Sequence, residues 1–572
     1  MRNIKNPNQQ NLIDPWAHLG KKVRKMLDSS WSGLFRSEIL PLLPVAEFSK
    51  DFDDTTGRLS KEIHAGLGMV LLQQIHDLTD AETMEAIAFN MQWHYALNIT
   101  GNSDSETHIC LKTLYNIRNK IIAKNLDQVI FDNIKKRFIE FFNVDTDKQR
   151  IDSKQIVSNM SNLGRVRIFT HTINKFLRNL KKSHKELFEQ IDEDIVEKYT
   201  GKKSMQYFSM VKPSKSQKTL KEVASDLFIL TELFKENNTV ANMHSFKLIM
   251  RVLNDQCEIL EKDDKTQIKP KAPKDIPSDS LQNPSDPDAS YSGHKGQGYQ
   301  VQVMETFQED KDETKPNIIT YVETEGAHNS DAHALTPALE KTAQDGICPK
   351  EAQADTVYAS DENCEKAAEM GVELVGPAPR GKEKDDRLHL SDFELSDDGE
   401  IIACPEGRKP VSTKRNKSSQ TLLFDSASCD ECAKNKICPV KKKKKYHSVN
   451  FSGKTLRLTK RRLHEKTDEF KERYRMRAGV EATMAEFDRR TGVGHVRYRG
   501  LRLMQFAVFM KAVGINLFRA TRAKAAQLHK KQHENHGQNP FDRIFFVFKE
   551  QMVTFGDKML KNFALRFAFC RF

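Results

Sequence analysis

A chain of 572 residues, 38% of them hydrophobic, exceeds what one core organises, so roughly two to four domains are expected. Its 91 Lys and Arg against 79 Asp and Glu give a net charge of +12 and a pI near 9.0, a field that favours polyanions, nucleic acid first. No run approaches the roughly 20 apolar residues of a membrane helix, since AVFMKAVGINLF is broken by Lys511; MRNIKNPNQQ lacks a signal-peptide core; and the nine cysteines are expected as reduced thiols or metal ligands of a cytoplasmic protein.

The first periodic stretch, LSKEIHAGLGMVLLQQIH, reads as a helix. Thr79 and Glu82 then stand in the order of a capping box before MEAIAFNMQWHYAL. A third helix, over residues 108–124, carries Lys112, Arg118 and Lys120 beside Tyr115. Three short helices whose last is basic and aromatic suit a DNA groove, and equally a bundle with a solvated face. Residues 128–262 stay helix-rich, with FDNIKKRFIEFF, NLGRVRIFTHTINKFLRNLKK and LKEVASDLFILTELF. Between the first two lies QRIDSKQIVSN, a short alternating segment around Asp152. Residues 263–290 are rich in Pro, Lys, Asp and Ser and read as an extended linker.

The texture then changes. GYQVQVMETFQ and NIITYVETEG alternate with period two and predict strands. HALTPALEKTAQ predicts a helix, EAQADTVYAS a short strand ended by Asp355, DENCEKAAEMG a helix and VELVGPAP a strand. This is an α/β layout. From about residue 380 to 463 it gives way to an insertion holding Cys404, Cys429, Cys432 and Cys438 in the order C-x24-C-x2-C-x5-C. The close pair matches one knuckle of a zinc site; scattered free thiols are the plain alternative. Lys441 to Lys445, with Lys460, Arg461 and Arg462, suit a phosphate backbone or a solvated surface.

In YRMRAGVEATMAEFDRR, read as one helix, Tyr474, Arg477, Glu481 and Asp488 fall within roughly 60° of one face. A carboxylate among cations suggests a metal ligand facing phosphate; an i,i+4 surface pair of Arg477 with Glu481 is the simpler explanation. Arg489 and Arg490 follow, and Arg497, Arg499 and Arg502 surround Tyr498. A long helix is predicted over residues 501–524. Beyond it, AQLHKKQHENHGQNP looks like a loop, and FDRIFFVFKEQMVTFGDKMLKNFALRFAFCRF reads as a packing helix or a tail.

Five segments in this order, GRLSKEIHAGLGMVLLQQIHDLTDAETMEAIAFN, QRIDSKQIVSNM, DPDASYSGHKGQGYQVQVMET, ADTVYASDENCEKAAEMGVELVGPAP and YRMRAGVEATMAEFDRRTGVGHVRYRG, resemble the bacterial insertion-sequence transposases of the DDE type. The resemblance implies an α/β ribonuclease-H-like catalytic core with a mainly helical N-terminal domain, a helical insertion and a Cys/Lys-rich insertion. The boundaries it suggests are a DNA-binding domain over 1–143 and a catalytic domain over 144–572, interrupted at 160–285 and 380–463. Matched by motif, Asp152, Asp355 and Glu481 correspond to the family's three catalytic carboxylates, holding two Mg²⁺ (or Mn²⁺) ions for phosphodiester chemistry. Asp286 and Asp288, just ahead of GYQVQV, are the alternatives for the first carboxylate.

The resemblance also implies cutting at the ends of an insertion sequence and joining of the freed 3′-hydroxyl to target DNA. Its partners would be double-stranded DNA, both terminal inverted repeats and target, bound by a homodimer, with no membrane and a nucleoid-associated location. Tyr474, Arg477, Arg489, Arg490, Arg497, Arg499, Arg502, Lys112 and Arg118 would contact DNA. Similar cysteine insertions in the family point to a structural Zn²⁺ here. One position departs: many members carry Lys where this chain has Asp488, which leaves open an inactive, transposase-derived DNA-binding protein, or a nuclease that cuts without joining.

Overall fold

A computed structural model describes residues 1–536, apart from 9–13, 102, 263–264, 380–385, 397–399, 417–418 and 444. The predicted C-terminal tail, 541–572, lies outside the described residues.

The N-terminal helices include α1 (Ile63–Ile75), α2 (Asp80–Phe89), α3 (Leu111–Ala123) and α4 (Leu126–Phe142). The capping box is present: Thr79 accepts from the Glu82 N–H, and Glu82 in turn accepts from the Thr79 N–H. The predicted second helix is broken at Asn90, whose side chain caps a separate helix, Met91–Ala96.

The central sheet is built from β1 (Lys148–Val157), β2 (Gly296–Thr306), β3 (Ile319–Gly326), β4 (Glu351–Gln353) and β5 (Glu373–Val375). The spatial order is β3-β2-β1-β4-β5, with a sixth short strand, Ser290–Ser292, also pairing β2. β1, β2 and β3 are antiparallel, whereas β4 and β5 run parallel to β1. This mixed sheet with its helices is compatible with a ribonuclease-H-like core. Alternation along the strands divides two apolar layers. On one side Val301, Val303 and Val322 join Leu67, Leu71, Phe131 and Phe138 of the N-terminal helices. On the other, Ile151, Met304 and Tyr321 pack on Leu335 and Leu339 of α10 (Leu335–Gln344) and on Ala367 of α11 (Asp361–Glu369).

Two insertions have cores of their own. Helices α5 (Arg165–Ser183), α6 (Glu193–Thr200), α7 (Ser204–Ser209), α8 (Pro213–Phe234) and α9 (His244–Gln256) bury Phe169, Phe176, Leu227, Phe246 and their neighbours. The segment expected as an extended linker is instead tied down: Cys257–Lys262 and Lys265–Pro270 form a hairpin, and Leu281 and Asp286 are fully buried. Its few apolar residues hid these anchors from a compositional reading. The second insertion contains a three-stranded antiparallel sheet, β6 (Ser412–Arg415), β7 (Ser419–Asp425) and β8 (Tyr446–Ser452), with Leu422, Phe424, Val449 and Phe451 in its core.

After it come α12 (Gly453–His464), α13 (Asp468–Tyr474), α14 (Gly479–Thr491) and α15 (Leu501–His536). α15 runs through residues 525–536, where a loop was predicted. It is long and apolar enough to cross a membrane by length and composition. Its apolar residues from Met504 to Leu517 are used in the first apolar layer, and the fully buried Lys511 is held by Asp77 at 2.9 Å.

Candidate active site

Asp152 and Asp355 are brought together by the parallel pairing of β1 with β4. The last paired couple is Arg150 with Gln353, and each aspartate lies two residues further on. Neighbouring strands run about 4.8 Å apart, so the two carboxylates share one end of the sheet. Asp355 also accepts hydrogen bonds from the N–H groups of Val357 (2.9 Å) and Tyr358 (3.3 Å), which fix its turn. Asp152 accepts from the Ser153 N–H at 2.8 Å.

Arg477 links the first aspartate to Glu481. Its Nη2 stands 2.9 Å from Asp152 Oδ2 and its Nη1 3.5 Å from Glu481 Oε1. Asp152 and Arg477 are mostly buried, whereas the Glu481 side chain is 73% exposed. Burial pushes the Asp152 carboxyl above its ordinary range; Arg477 opposes this, and the charges of Asp355 and Asp331 add to it. Tyr474, stacked on Phe470 at 5.5 Å, borders the same cluster. Burial raises its phenol, and Arg477, Asp355 and Asp152 all act on it.

The single helix expected over Tyr474 to Arg490 is interrupted. α13 ends at Tyr474, a 3₁₀ turn covers Arg475–Ala478, and α14 begins at Gly479. The cause is a set of anchors on both sides of the turn. Arg473 pairs with Glu351 on β4 and Glu373 on β5, both at 2.8 Å, and its carbonyl accepts from Gln353. The carbonyl of Met476 accepts from Arg150 Nη1 at 2.6 Å. A Cβ on Gly479 would stand 2.2 Å from that same nitrogen, so a side chain there would displace the Arg150 guanidinium. Arg150 in turn meets Glu305, which is fully buried and also holds Arg519 (2.7 Å) and Thr483 (2.8 Å). The turn carrying Arg477 and Glu481 is therefore bolted to β1 and β2.

Sequence reasoning missed Asp331 and Lys295. Lys295 Nζ lies 2.9 Å from Asp331 Oδ2 and 2.9 Å from Ser153 Oγ, which places this pair beside Asp152. Asp331 sits in a one-turn 3₁₀ helix, with no periodic signal around it. The buried Tyr358 donates to Gln302 and is strongly raised by burial, then by Asp331 and Asp152.

The alternatives for the first carboxylate have structural work. Asp286 is fully buried and accepts from Ser158 (2.6 Å), Tyr299 (2.5 Å) and the Gly500 N–H (3.0 Å). Asp288 accepts from the Leu501 N–H at the start of α15. Asp488 points to the turn after α14, accepting from the Gly494 N–H at 2.9 Å and pairing with Lys154 at 3.2 Å.

Several residues expected on DNA are occupied internally. Arg118 is buried against Asp80 and Gln73. Arg502 grips the buried Asp127 through two 2.6 Å hydrogen bonds. Arg461 donates to the carbonyls of Ala359 and Gly376, and Arg462 to that of Pro379. In each case an acceptor within the fold claims the guanidinium. Arg490 pairs with Glu486 at 3.0 Å, and Arg497 with Asp77 at 2.9 Å. Arg499 bonds Asn159 at 3.1 Å while remaining exposed, and Lys112 and Arg489 are exposed.

Cys404, Cys429 and Cys438 border the small core of the second insertion. Burial raises the Cys429 thiol, and the charges of Cys404, Cys438 and Cys432 raise it further, so the four face one region. Among the described residues, however, no three His, Cys, Asp or Glu side chains are gathered closely enough to hold a metal ion. At the carboxylates, Arg477 fills the gap between Asp152 and Glu481.

Residues 403–521 match the family model described as a transposase DDE domain. The match supports a DDE-type transposase. It spans the four cysteines and Glu481 and stops short of Asp152 and Asp355. No curated protein and no solved structure matches the chain.

Proposed function

We propose that the chain is a DNA transposase that cuts at the ends of an insertion sequence and joins the freed 3′-hydroxyl to target DNA. Asp152, Asp355 and Glu481 are its catalytic carboxylates. The observation that carries this reading is that Asp152 and Asp355 each lie two residues past the paired couple Arg150 and Gln353, with Glu481 reached through Arg477.

The donor set suits hard divalent cations, two Mg²⁺ or Mn²⁺. Burial raises the Asp152 carboxyl, and the nearby charges of Asp355 and Asp331 add to this while Arg477 opposes it. Asp152, Asp355 and Glu481 would hold the metals, which would supply activation of an attacking oxygen and charge stabilisation at the leaving oxygen of a phosphodiester. The chain itself supplies placement. Arg150 and Glu305 fix the turn that presents Arg477 and Glu481, and Arg473 fixes Tyr474 beside Asp355. Arg477 Nε is buried without a partner, a donor free for a phosphate oxygen once substrate arrives. Tyr474, Arg489 and Arg499 complete a surface for the DNA backbone, with two copies pairing the element ends. A structural Zn²⁺ on the four cysteines, ligands that metal favours, would require them to draw closer together than they stand here.

Asp488 gives little support to an inactive derivative, because Lys154 and the Gly494 N–H offset its charge. One reaction tests the reading: purified protein, Mg²⁺, a duplex carrying the flanking terminal repeats, and a target plasmid. Joined products are expected. Nicks alone would indicate a nuclease, and a bound but intact duplex a DNA-binding derivative.

A further inference from the structure

Residues 198–221, KYTGKKSMQYFSMVKPSKSQKTLK, contain seven lysines and no acidic residue, in a chain with nearly one acid for each base. Lys198 is paired with Asp226 at 2.5 Å. Lys202, Lys203, Lys212, Lys215, Lys218 and Lys221 are all exposed, and no carboxylate lies within ion-pair distance of any of them among the described residues.

The segment is folded, so the charges are held in place. Phe208 of α7 is buried and stacks on Tyr199 at 5.6 Å. Leu220, Val223, Ala224 and Leu227 of α8 are buried. At about 100° per residue, Lys215, Lys218 and Lys221 lie within roughly 120° on the opposite face. Tyr207 and Met210, 66% and 70% exposed, stand between the two lysine groups. These cations crowd the beginning of α8, whose first turn has no acid. Cations are disfavoured at that end of a helix, so the pattern works against the stability of α8.

We infer that this face of the helical insertion, formed by Lys202, Lys203, Lys212, Lys215, Lys218 and Lys221, is a second binding surface for the phosphate backbone of duplex DNA. The inference rests on the proposed function only in taking DNA as the polyanion. Six exposed cations with no ion-pair partner among the described residues suit a phosphate backbone and carry no base specificity. The surface would hold DNA outside the catalytic sheet and lengthen the contact made by each copy.

The test uses the full chain and a labelled duplex of arbitrary sequence, with affinity measured across a salt series. Exchange of Lys202, Lys203, Lys215 and Lys218 for Gln is expected to lower the slope of log affinity against log salt by about 3.6, near 0.9 per lost contact. A control, Lys185→Gln with Lys235→Gln, removes lysines of the same insertion that are already paired with Glu189 and Glu232 and is expected to leave the slope unchanged. Should the fourfold variant misfold by circular dichroism, Lys215→Gln with Lys218→Gln is expected to give about half the loss. An unchanged slope in a folded variant, or an equal loss in the control, overturns the inference. Failure of the unaltered protein to bind any duplex would instead sink the proposed function.

Discussion

Asp152 and Asp355 each stand two residues past Arg150 and Gln353, the last couple paired between the parallel strands β1 and β4. Their chain separation is filled by a helical insertion with its own core and by strands β2 and β3, so distance in sequence conceals a proximity that sheet pairing produces.

This pairing sets a linkage between metal and pH. Asp152 is an acid whose pKa is raised in the fold, so the folded state holds its proton more tightly than the unfolded chain. That contribution is present at low pH and lost as pH rises through the raised value. A divalent cation reverses the sign by favouring the ionised form. Mg²⁺ or Mn²⁺ is therefore expected to raise the thermal midpoint near neutral pH and to raise it less as pH falls through the carboxylate range. In Asp152→Asn the gain is expected to shrink and lose this pH dependence, as read by differential scanning fluorimetry.

Glu305 is fully buried between Arg150 and Arg519. Removing one partner of such a network leaves uncompensated buried charge, a loss of about 3–5 kcal/mol. Glu305→Ala is expected to lose that much in denaturant unfolding, and Arg150→Lys, which keeps charge without the fork, to lower strand cleavage more than DNA affinity. Equal stability of Glu305→Ala and the parent would show that the network does not hold the turn.

Asp488 caps the turn at Gly494 and faces Lys154. Asp488→Lys sets two lysines together and removes the cap, so cleavage is expected to fall. A rise in cleavage would mean that Asp488 impairs the natural chain.

His76 lies against Trp31, Trp93 and Phe518, and burial lowers its pKa to about 4. The unfolded chain then binds a proton that the fold does not between about pH 6.5 and 4. Stability falls as pH drops through this window, by about 3 kcal/mol at most. His76→Phe is expected to remove this part of the acid sensitivity, measured as the difference in unfolding free energy between neutral pH and pH 5.

Much of the α/β layout was legible, because β2 and β3 alternate with period two and α10 and α11 carry helical periodicity. The break between α13 and α14 was not: Tyr474 to Arg490 keeps helical spacing throughout, and Arg150, Glu351, Gln353 and Glu373, far upstream in the chain, impose the turn. Arg118 and Arg502 resembled DNA-facing cations because nothing local reveals Asp80 and Asp127 as their partners. Asp331 and Lys295 were hidden in loops, where proximity to Asp152 is decided by the sheet. Conversely, capping is local, and Thr79 with Glu82 could be read directly.

The most direct test measures single-turnover nicking of a terminal-repeat duplex in Mg²⁺ by Asp152→Asn, Asp355→Asn and Glu481→Gln, with duplex affinity recorded alongside. Each variant is expected to bind DNA and to nick it at least roughly a thousandfold more slowly, a loss of about 4 kcal/mol in transition-state stabilisation. Parent-like nicking by any one of the three would contradict a site built from all of them.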